Sequence, residues 1–134
     1  MRTFIPLLAL IFMVSCRQTE DQKAGALMHR IDSLYQRKDY SRTLMAIREL
    51  RAKHPGAVES RQRALKIWQE ASLVMTQADI ARTDSALQAT IAAHARATDL
   101  GEKNRLRVRR DSLQVRYDAL CGTVRVIRRR QAEP

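Results

Sequence analysis

Apolar residues recur at helical spacing over two stretches of residues 24–55 and mark one face of each stretch: Leu27, Ile31, Leu34 and Tyr35, then Leu44, Ile47 and Leu50. The residues between them, 37–40, are typical of a turn, with Asp39 as the N-cap of the second helix. Pro55 and Gly56 should end that helix, because proline disfavours helix in the residue before it. Two helices of about 14 residues joined by a short turn are therefore predicted.

Alanine recurs every seven residues at the start of the next segment, residues 57–98, at four positions: Ala57, Ala64, Ala71 and Ala78. Small residues let a neighbouring backbone come close, so we expect the first two helices to dock on Ala57, Ala64 and Ala71. Around residues 79–84 the apolar positions shift phase to Ile80, Leu87 and Ile91, a change that bends or interrupts a helix. Gly101 is expected to follow the end of this segment as its C′ residue.

A third apolar pattern runs through residues 103–130, at positions seven apart and between them: Leu106, Leu113, Leu120 and Ile127, with Tyr117 and Val124. Arg110 is the odd member of this seam. The preceding loop is short, so this helix should fold back antiparallel on residues 80–98. Burial of apolar side chains offsets the ordering entropy only narrowly, which leaves a homodimer through the long helices as an option.

The first two helices resemble a tetratricopeptide unit over residues 24–55. Leu27 stands near the position where that family has Trp, and Pro55 closes the unit at the right distance. The sequence departs from the family pattern at Ile31, where a small residue is usual, and at Thr43, which replaces Ala. The resemblance implies a helical hairpin that needs a packing neighbour, because one repeat cannot bury its own face.

These patterns together predict an all-α protein, with a TPR-like antiparallel helical hairpin followed by long antiparallel coiled-coil helices. The composition agrees with this class, since four Gly and three Pro are few for a fold rich in tight turns.

The N-terminus has the pattern of an export signal. Arg2 supplies a positive charge, and residues 4–14 form an apolar run too short to cross a bilayer. The run ends in Met13-Val14-Ser15-Cys16, which resembles the lipobox of bacterial lipoproteins, with Met13 where Leu is usual. The resemblance implies cleavage before Cys16 and acylation of that residue, which would attach the chain to a membrane without spanning it. An ordinary signal peptide or a buried N-terminal helix is the alternative.

Arg17 follows the candidate lipid site. By resemblance to the sorting of bacterial lipoproteins, where Asp at this position favours the inner membrane, Arg17 indicates the outer membrane of the cell envelope. Once Cys16 is acylated, Cys121 is the only thiol left, either as a small apolar residue on a helix or as a reactive or intermolecular thiol.

The predicted organisation has four parts in chain order: a signal peptide (1–15), the lipidated Cys16 with a flexible tether (16–23), one helical domain (24–130) and a tail (131–134). The helical domain contains the TPR-like hairpin (24–55), a long helical segment (57–98) and a basic helix (103–130).

The formal net charge of +11 is concentrated on the basic helix, which has ten basic and two acidic side chains. Arginine suits bidentate recognition of phosphate or carboxylate, so we single out eight residues as a candidate site for an anionic surface: Arg105, Arg107, Arg109, Arg110, Arg125, Arg128, Arg129 and Arg130. They fit a solvated face that pairs with acids on the neighbouring helix, or a surface for anionic lipid, lipopolysaccharide phosphate or cell-wall polymer. Nucleic acid is disfavoured by the export signal and by the lack of interleaved aromatic residues.

Catalytic and metal-binding patterns are scarce. His29, His54 and His94 stand 25 and 40 residues apart and form no i, i+4 pair, so no metal site is predicted. The sequence has no P-loop and no nucleophile elbow, and neither enzyme activity nor a cofactor is predicted.

We therefore expect a lipid-anchored envelope protein that acts as a helical scaffold or binding module for a protein partner or an anionic envelope component. The alternative is a basic effector that binds membranes or nucleic acid through residues 103–130.

Overall fold

The structure, a computed structural model, describes residues 19–133. This range contains four helices and no strand: α1 (Glu20–Gln36), α2 (Tyr40–Lys53), α3 (Val58–Arg96) and α4 (Leu100–Ala132). The predicted all-α class is thereby confirmed. The predicted signal peptide, Cys16 and Pro134 lie outside the described residues.

Helix α1 begins with a capping box. The Gln22 backbone N–H donates to the Thr19 hydroxyl oxygen at 3.2 Å, and the Thr19 N–H donates to the Gln22 side-chain oxygen at 2.9 Å. Because these two bonds satisfy the first free amides, α1 begins at Glu20, four residues before the predicted start at Ala24. The flexible tether predicted over residues 16–23 is therefore corrected: it is helical from Glu20 onward.

The turn between α1 and α2 closes with two backbone hydrogen bonds. The Asp39 N–H donates to Leu34 O at 3.0 Å, and the Lys38 N–H donates to Tyr35 O at 2.9 Å. This is a Schellman motif, which requires the left-handed conformation that Lys38 adopts at φ 59°. Asp39 is the N-cap of α2, as predicted, and accepts the Arg42 N–H at 3.2 Å.

Helices α1, α2 and the first turns of α3 share one core, made of apolar side chains from all three: Ala24, Met28, Ile31, Leu34, Ala46, Ile47, Leu50, Ala57 and Ala64. Ala57 and Ala64 are 0% exposed, which confirms that the hairpin docks on the small residues of α3. Leu27, Ile67 and Trp68 cover the edge of this core.

Helix α3 continues without a break for 39 residues, about 58 Å. Of the bend or interruption expected near residues 79–84, the interruption is therefore wrong. Beyond the shared core it presents a different face, with four residues at alternating steps of three and four: Ile80, Thr83, Leu87 and Thr90. Ile91, expected on this face, is 43% exposed, because the residue that follows Leu87 on the covered face is Thr90, three positions along the helix. Ala78 is also exposed, since the hairpin covers only the start of α3.

Helix α4 begins at Leu100, where the Asp99 carboxylate accepts the Glu102 N–H at 2.7 Å. Gly101 therefore lies in the first turn of α4, and its predicted role as the C′ residue of the preceding helix is wrong. Helix α3 has already ended at Arg96.

Helix α4 runs antiparallel to α3 and, within residues 19–133, packs against α3 alone. The side chains of the predicted seam face α3: Ile127 is buried, and the others are half-buried, namely Leu106, Leu113, Tyr117, Leu120 and Val124. The fold is thus a three-helix base with a two-helix arm, and α3 belongs to both. No helix of the described range is both long and apolar enough to cross a membrane.

We expect Lys38→Gly to raise the free energy of unfolding by about 1 kcal/mol, because glycine removes the Cβ clash of the left-handed conformation. Arg37→Gly is the matched control at the adjacent position. Its φ of −78° suits any residue, so it should only lower stability. Urea unfolding followed by circular dichroism measures both variants, and equal effects would contradict the proposed strain at Lys38.

We expect Ala64→Leu to lower the free energy of unfolding by about 1–3 kcal/mol, since the added carbons meet a fully packed contact between α3 and the hairpin. Ala89→Leu, an exposed position of the same helix, should change it by less than about 0.5 kcal/mol. Equal stability of the two variants in urea would show that close approach at Ala64 is not needed.

Candidate anionic-surface site

The eight candidate arginines lie on α4 in two groups. Arg105, Arg107, Arg109 and Arg110 are near its start, at the tip of the arm, and Arg125 and Arg128–Arg130 are near its end. From Arg107 to Arg128 the helix rises about 32 Å, so the groups are several Debye lengths apart at physiological salt. The structure therefore divides the predicted stripe into two separate clusters.

Arg110 differs from the other candidates because it occupies the seam and is half-buried. Its Nε and one terminal nitrogen donate to Asp111 Oδ1 at 2.9 and 2.7 Å. The guanidinium is thus occupied by its sequence neighbour and is the least available of the eight to an external anion.

Most of the other arginines of α4 have no ion pair. Within residues 19–133, α4 forms two: Arg110 with Asp111, and Arg130 with Glu133 at 3.6 Å. No carboxylate of α3 pairs with α4 in this range, so the interpretation in which the basic face is neutralised by the neighbouring helix does not hold here. Seven arginines remain without a carboxylate: Arg105, Arg107, Arg109, Arg116, Arg125, Arg128 and Arg129.

One member of the second group, Arg130, lies beside a basic residue of another helix. Arg130 lines a groove of about 900 Å³ together with Lys66 of α3. Arg61 lines a smaller neighbouring groove together with Arg51 and donates to Pro55 O at 2.6 Å. Arg51 of α2 covers the Trp68 ring, with its guanidinium carbon 5.9 Å from the ring centroid. We call this set of six side chains the basic end: Arg51, Arg61, Lys66, Arg128, Arg129 and Arg130.

The N-terminus of α1 reaches this same end of the fold. The Ser60 backbone N–H, in the first turn of α3, donates to Asp21 Oδ1 at 2.8 Å. This bond lowers the pKa of Asp21, because it stabilises the charged carboxylate. Asp21 thereby caps α3, whose own N-cap residue, Ala57, has no side chain that could do so.

Other acidic side chains nearby also have partners outside the basic end. Glu20 bonds to Lys23 at 2.8 Å, a contact that lowers the pKa of its carboxyl group. Glu70 accepts the Tyr35 hydroxyl at 2.5 Å, and this bond raises the pKa of Tyr35 to about 12. Each of these carboxylates thus has a partner within the fold, and Asp21 and Glu70 keep their negative charge because their partners are uncharged.

The groove beside the basic end is mainly apolar. Leu65 and Trp68 of α3 form one wall, and Val126 and Ile127 of α4 form the other. Ile127 is 6% exposed, whereas Val126 is 58% exposed. Ile127 therefore holds the end of α4 against α3 and keeps the basic residues of both helices together.

The remaining sequence candidates are scattered. His29 is exposed, whereas His54 and His94 are half-buried, and residues 19–133 contain no group of three side chains that could hold a metal ion. Cys121 is half-buried beside Tyr117. The pKa of Tyr117 is raised, because its phenolate would lie close to the Cys121 sulfur and to the carboxylates of Asp84 and Asp118.

Sequence reasoning missed three members of the basic end, namely Arg51, Arg61 and Lys66. They belong to helices of ordinary charge, and nothing in their spacing relates them to residues 128–130. Only the antiparallel return of α4 brings the two sets together.

We expect Ile127→Ala to lower the free energy of unfolding by about 2–4 kcal/mol and to shift the emission of Trp68, the only tryptophan, to longer wavelength. Water should enter the groove when the end of α4 loses its buried side chain. Val126→Ala, at the exposed neighbouring position, is the matched control and should change neither quantity much. An unshifted Ile127→Ala spectrum would contradict the role given to Ile127.

No protein-family model matches the chain, and the searches of curated proteins and of solved structures also found no match.

Proposed function

We propose that this protein is a lipid-anchored component of a bacterial cell envelope, attached through Cys16 to the outer membrane, where it acts as a helical scaffold or binding module. The observation that carries the proposal is the order of features at the N-terminus: a positive charge, a short apolar run, a small residue, Cys16 and then a polar segment. A triacylated cysteine would hold the chain on the membrane stably, because stable attachment needs two or more chains or signals.

The start of α1 lies close in sequence to the proposed lipid site. Thr19, the N-cap of α1, follows Cys16 by three residues, and three extended residues reach about 10 Å at most. A lipid on Cys16 would therefore keep the base of the fold close to the bilayer surface.

The arrangement of the helices supports a binding role. We propose that α1 and α2 form a TPR-like hairpin and that α3 and α4 form an antiparallel coiled coil, since the covered positions of α4 alternate at steps of three and four. One side of the arm remains open: Val108 and Val115 of α4 are 66% and 70% exposed. This open side of the arm is the surface we assign to a protein partner or an anionic envelope component.

The charge of the same surface opposes self-association through it. Two copies that met along this side of α4 would bring their arginines together, and like charges repel. A partner with acidic or anionic groups fits the arm better than a second copy. We assign no catalytic role and no cofactor to the protein.

We expect cells that express the protein to incorporate a clickable fatty acid into it and to retain it in the membrane fraction. Cys16→Ala should abolish both the label and the membrane retention, because it removes the acylated sulfur. Cys121→Ala, the other cysteine, is the matched control and should keep both.

Mass spectrometry of the mature N-terminus completes this experiment. An unmodified chain that begins at Met1 or Arg17, or a Cys16→Ala variant that keeps the label, would overturn the proposed function.

A further inference from the structure

The basic end collects charge from three helices that are far apart in sequence. Arg51 belongs to α2, Lys66 to α3 and Arg128–Arg130 to α4. Lys66 and Arg130 line one groove because α4 returns along α3, and Arg51 lies over Trp68, which lines the same groove. Two helix N-termini and two C-termini also meet here, so the helix dipoles largely cancel. The field at this end comes mainly from its side chains.

The charges at this end are available to an external anion. Arg128 and Arg129 are exposed and have no ion pair within residues 19–133, and Lys66 is exposed as well. Two nearby carboxylates are in ion pairs, Glu20 with Lys23 and Glu133 with Arg130, whereas Asp21 and Glu70 accept hydrogen bonds from uncharged groups and keep their charge. The other five cations of the basic end form no ion pair within residues 19–133, so a flat anionic surface that approached this end would meet a net positive charge.

We infer that the basic end docks on an anionic phospholipid bilayer, with the two-helix arm directed away from the membrane. The inference rests on the proposed function in one respect, since the residue proposed to carry the lipid lies within about 10 Å of chain from Thr19 at the same end. A basic cluster close to a lipid anchor provides a second attachment signal.

The geometry favours a bilayer over a nucleic acid. Single strands are held by exposed aromatic rings, and Trp68, the aromatic residue that lines the groove, is half-buried and covered by Arg51. The cations come from three helices, and the groove that Lys66 and Arg130 line has mainly apolar walls, unlike the basic groove that would follow one strand. Such a surface suits the plane of lipid headgroups.

The test measures how the full chain partitions onto vesicles, in a Cys16→Ser background that removes the lipid. Each variant is titrated with neutral phosphatidylcholine vesicles and with vesicles that also contain phosphatidylglycerol. The ratio of the two partition coefficients is compared between variants. The apolar residues 1–15 are present in every variant, so their contribution cancels in this ratio.

Neutralising Arg128, Arg129 and Arg130 to Gln should reduce the ratio roughly 100-fold, since each basic residue near the surface contributes about a factor of five. The matched control is the triple change of Arg105, Arg107 and Arg109 to Gln, which removes the same charge from the tip of the arm. This control should reduce the ratio less than fivefold, because the tip of the arm would lie more than a Debye length from the membrane surface. Circular dichroism verifies that the variants fold.

Lys66→Gln tests whether the docking surface is built by the fold. This change leaves α4 intact and should reduce the ratio about fivefold. No effect of Lys66→Gln would mean that the last turns of α4 act alone, and would overturn the inferred surface.

Three further results would overturn the inference: no loss in either triple variant, equal losses in both, or displacement of the protein from vesicles by duplex DNA at equal phosphate concentration. Equal losses would indicate an arm that lies flat on the membrane, and displacement by DNA would favour a nucleic-acid partner. Because every variant lacks Cys16, failure of the fatty-acid labelling would leave this measurement unaffected. The two hypotheses can therefore fail separately.

Discussion

The structure depends on α3, which packs against two sets of neighbours through two different faces of its own. Near its start, Ala57 and Ala64 are fully covered and let the α1–α2 hairpin approach closely. Farther along, Thr83, Leu87 and Thr90 face α4. Because one continuous helix of about 58 Å belongs to both the base and the arm, the direction of the arm follows from the base.

The two parts of the fold differ in how much they bury. The base contains Ile31, Ile47 and Leu50, all fully buried, and therefore has a compact core. The arm consists of two helices, and most of the seam of α4 is only half-buried. The arm is therefore the less protected part of the described fold, and the groove beside Trp68 is where its end meets the base.

The same arrangement determines where the charge lies. Along the sequence, the arginines of α4 form one run, and a solvated face paired with acids on the neighbouring helix was a reasonable interpretation. In the fold they form two clusters about 30 Å apart, and Glu133 is the carboxylate that pairs with the second cluster, through Arg130, within the described residues. Lys66 of α3 lines one groove with the same arginine.

Local patterns were reliable where the controlling interaction is local. Asp39 was recognised as an N-cap because its partner, Arg42 N–H, is three residues away. The phase of the heptad in residues 103–130 identified the face that meets α3. The prediction for Gly101 was wrong because Asp99, two residues earlier, is the N-cap of the next helix. The prediction for Ile91 was wrong because the register of the antiparallel neighbour decides which residues of α3 are covered. Local reasoning also missed Ala24, Met28 and Ala46, whose burial comes from neighbouring helices.

The amino-acid sequence by itself determined that the described chain is helical, where its turns lie and which faces are apolar, since periodicity and capping act over a few residues. It also holds the lipobox-like pattern at Cys16. Only the tertiary structure decided that α3 is continuous, that Asp21 caps a helix 39 residues away and that cations from α2, α3 and α4 meet at one end. Those features depend on how helices pack side by side, and packing joins residues whose distance along the chain carries no signal.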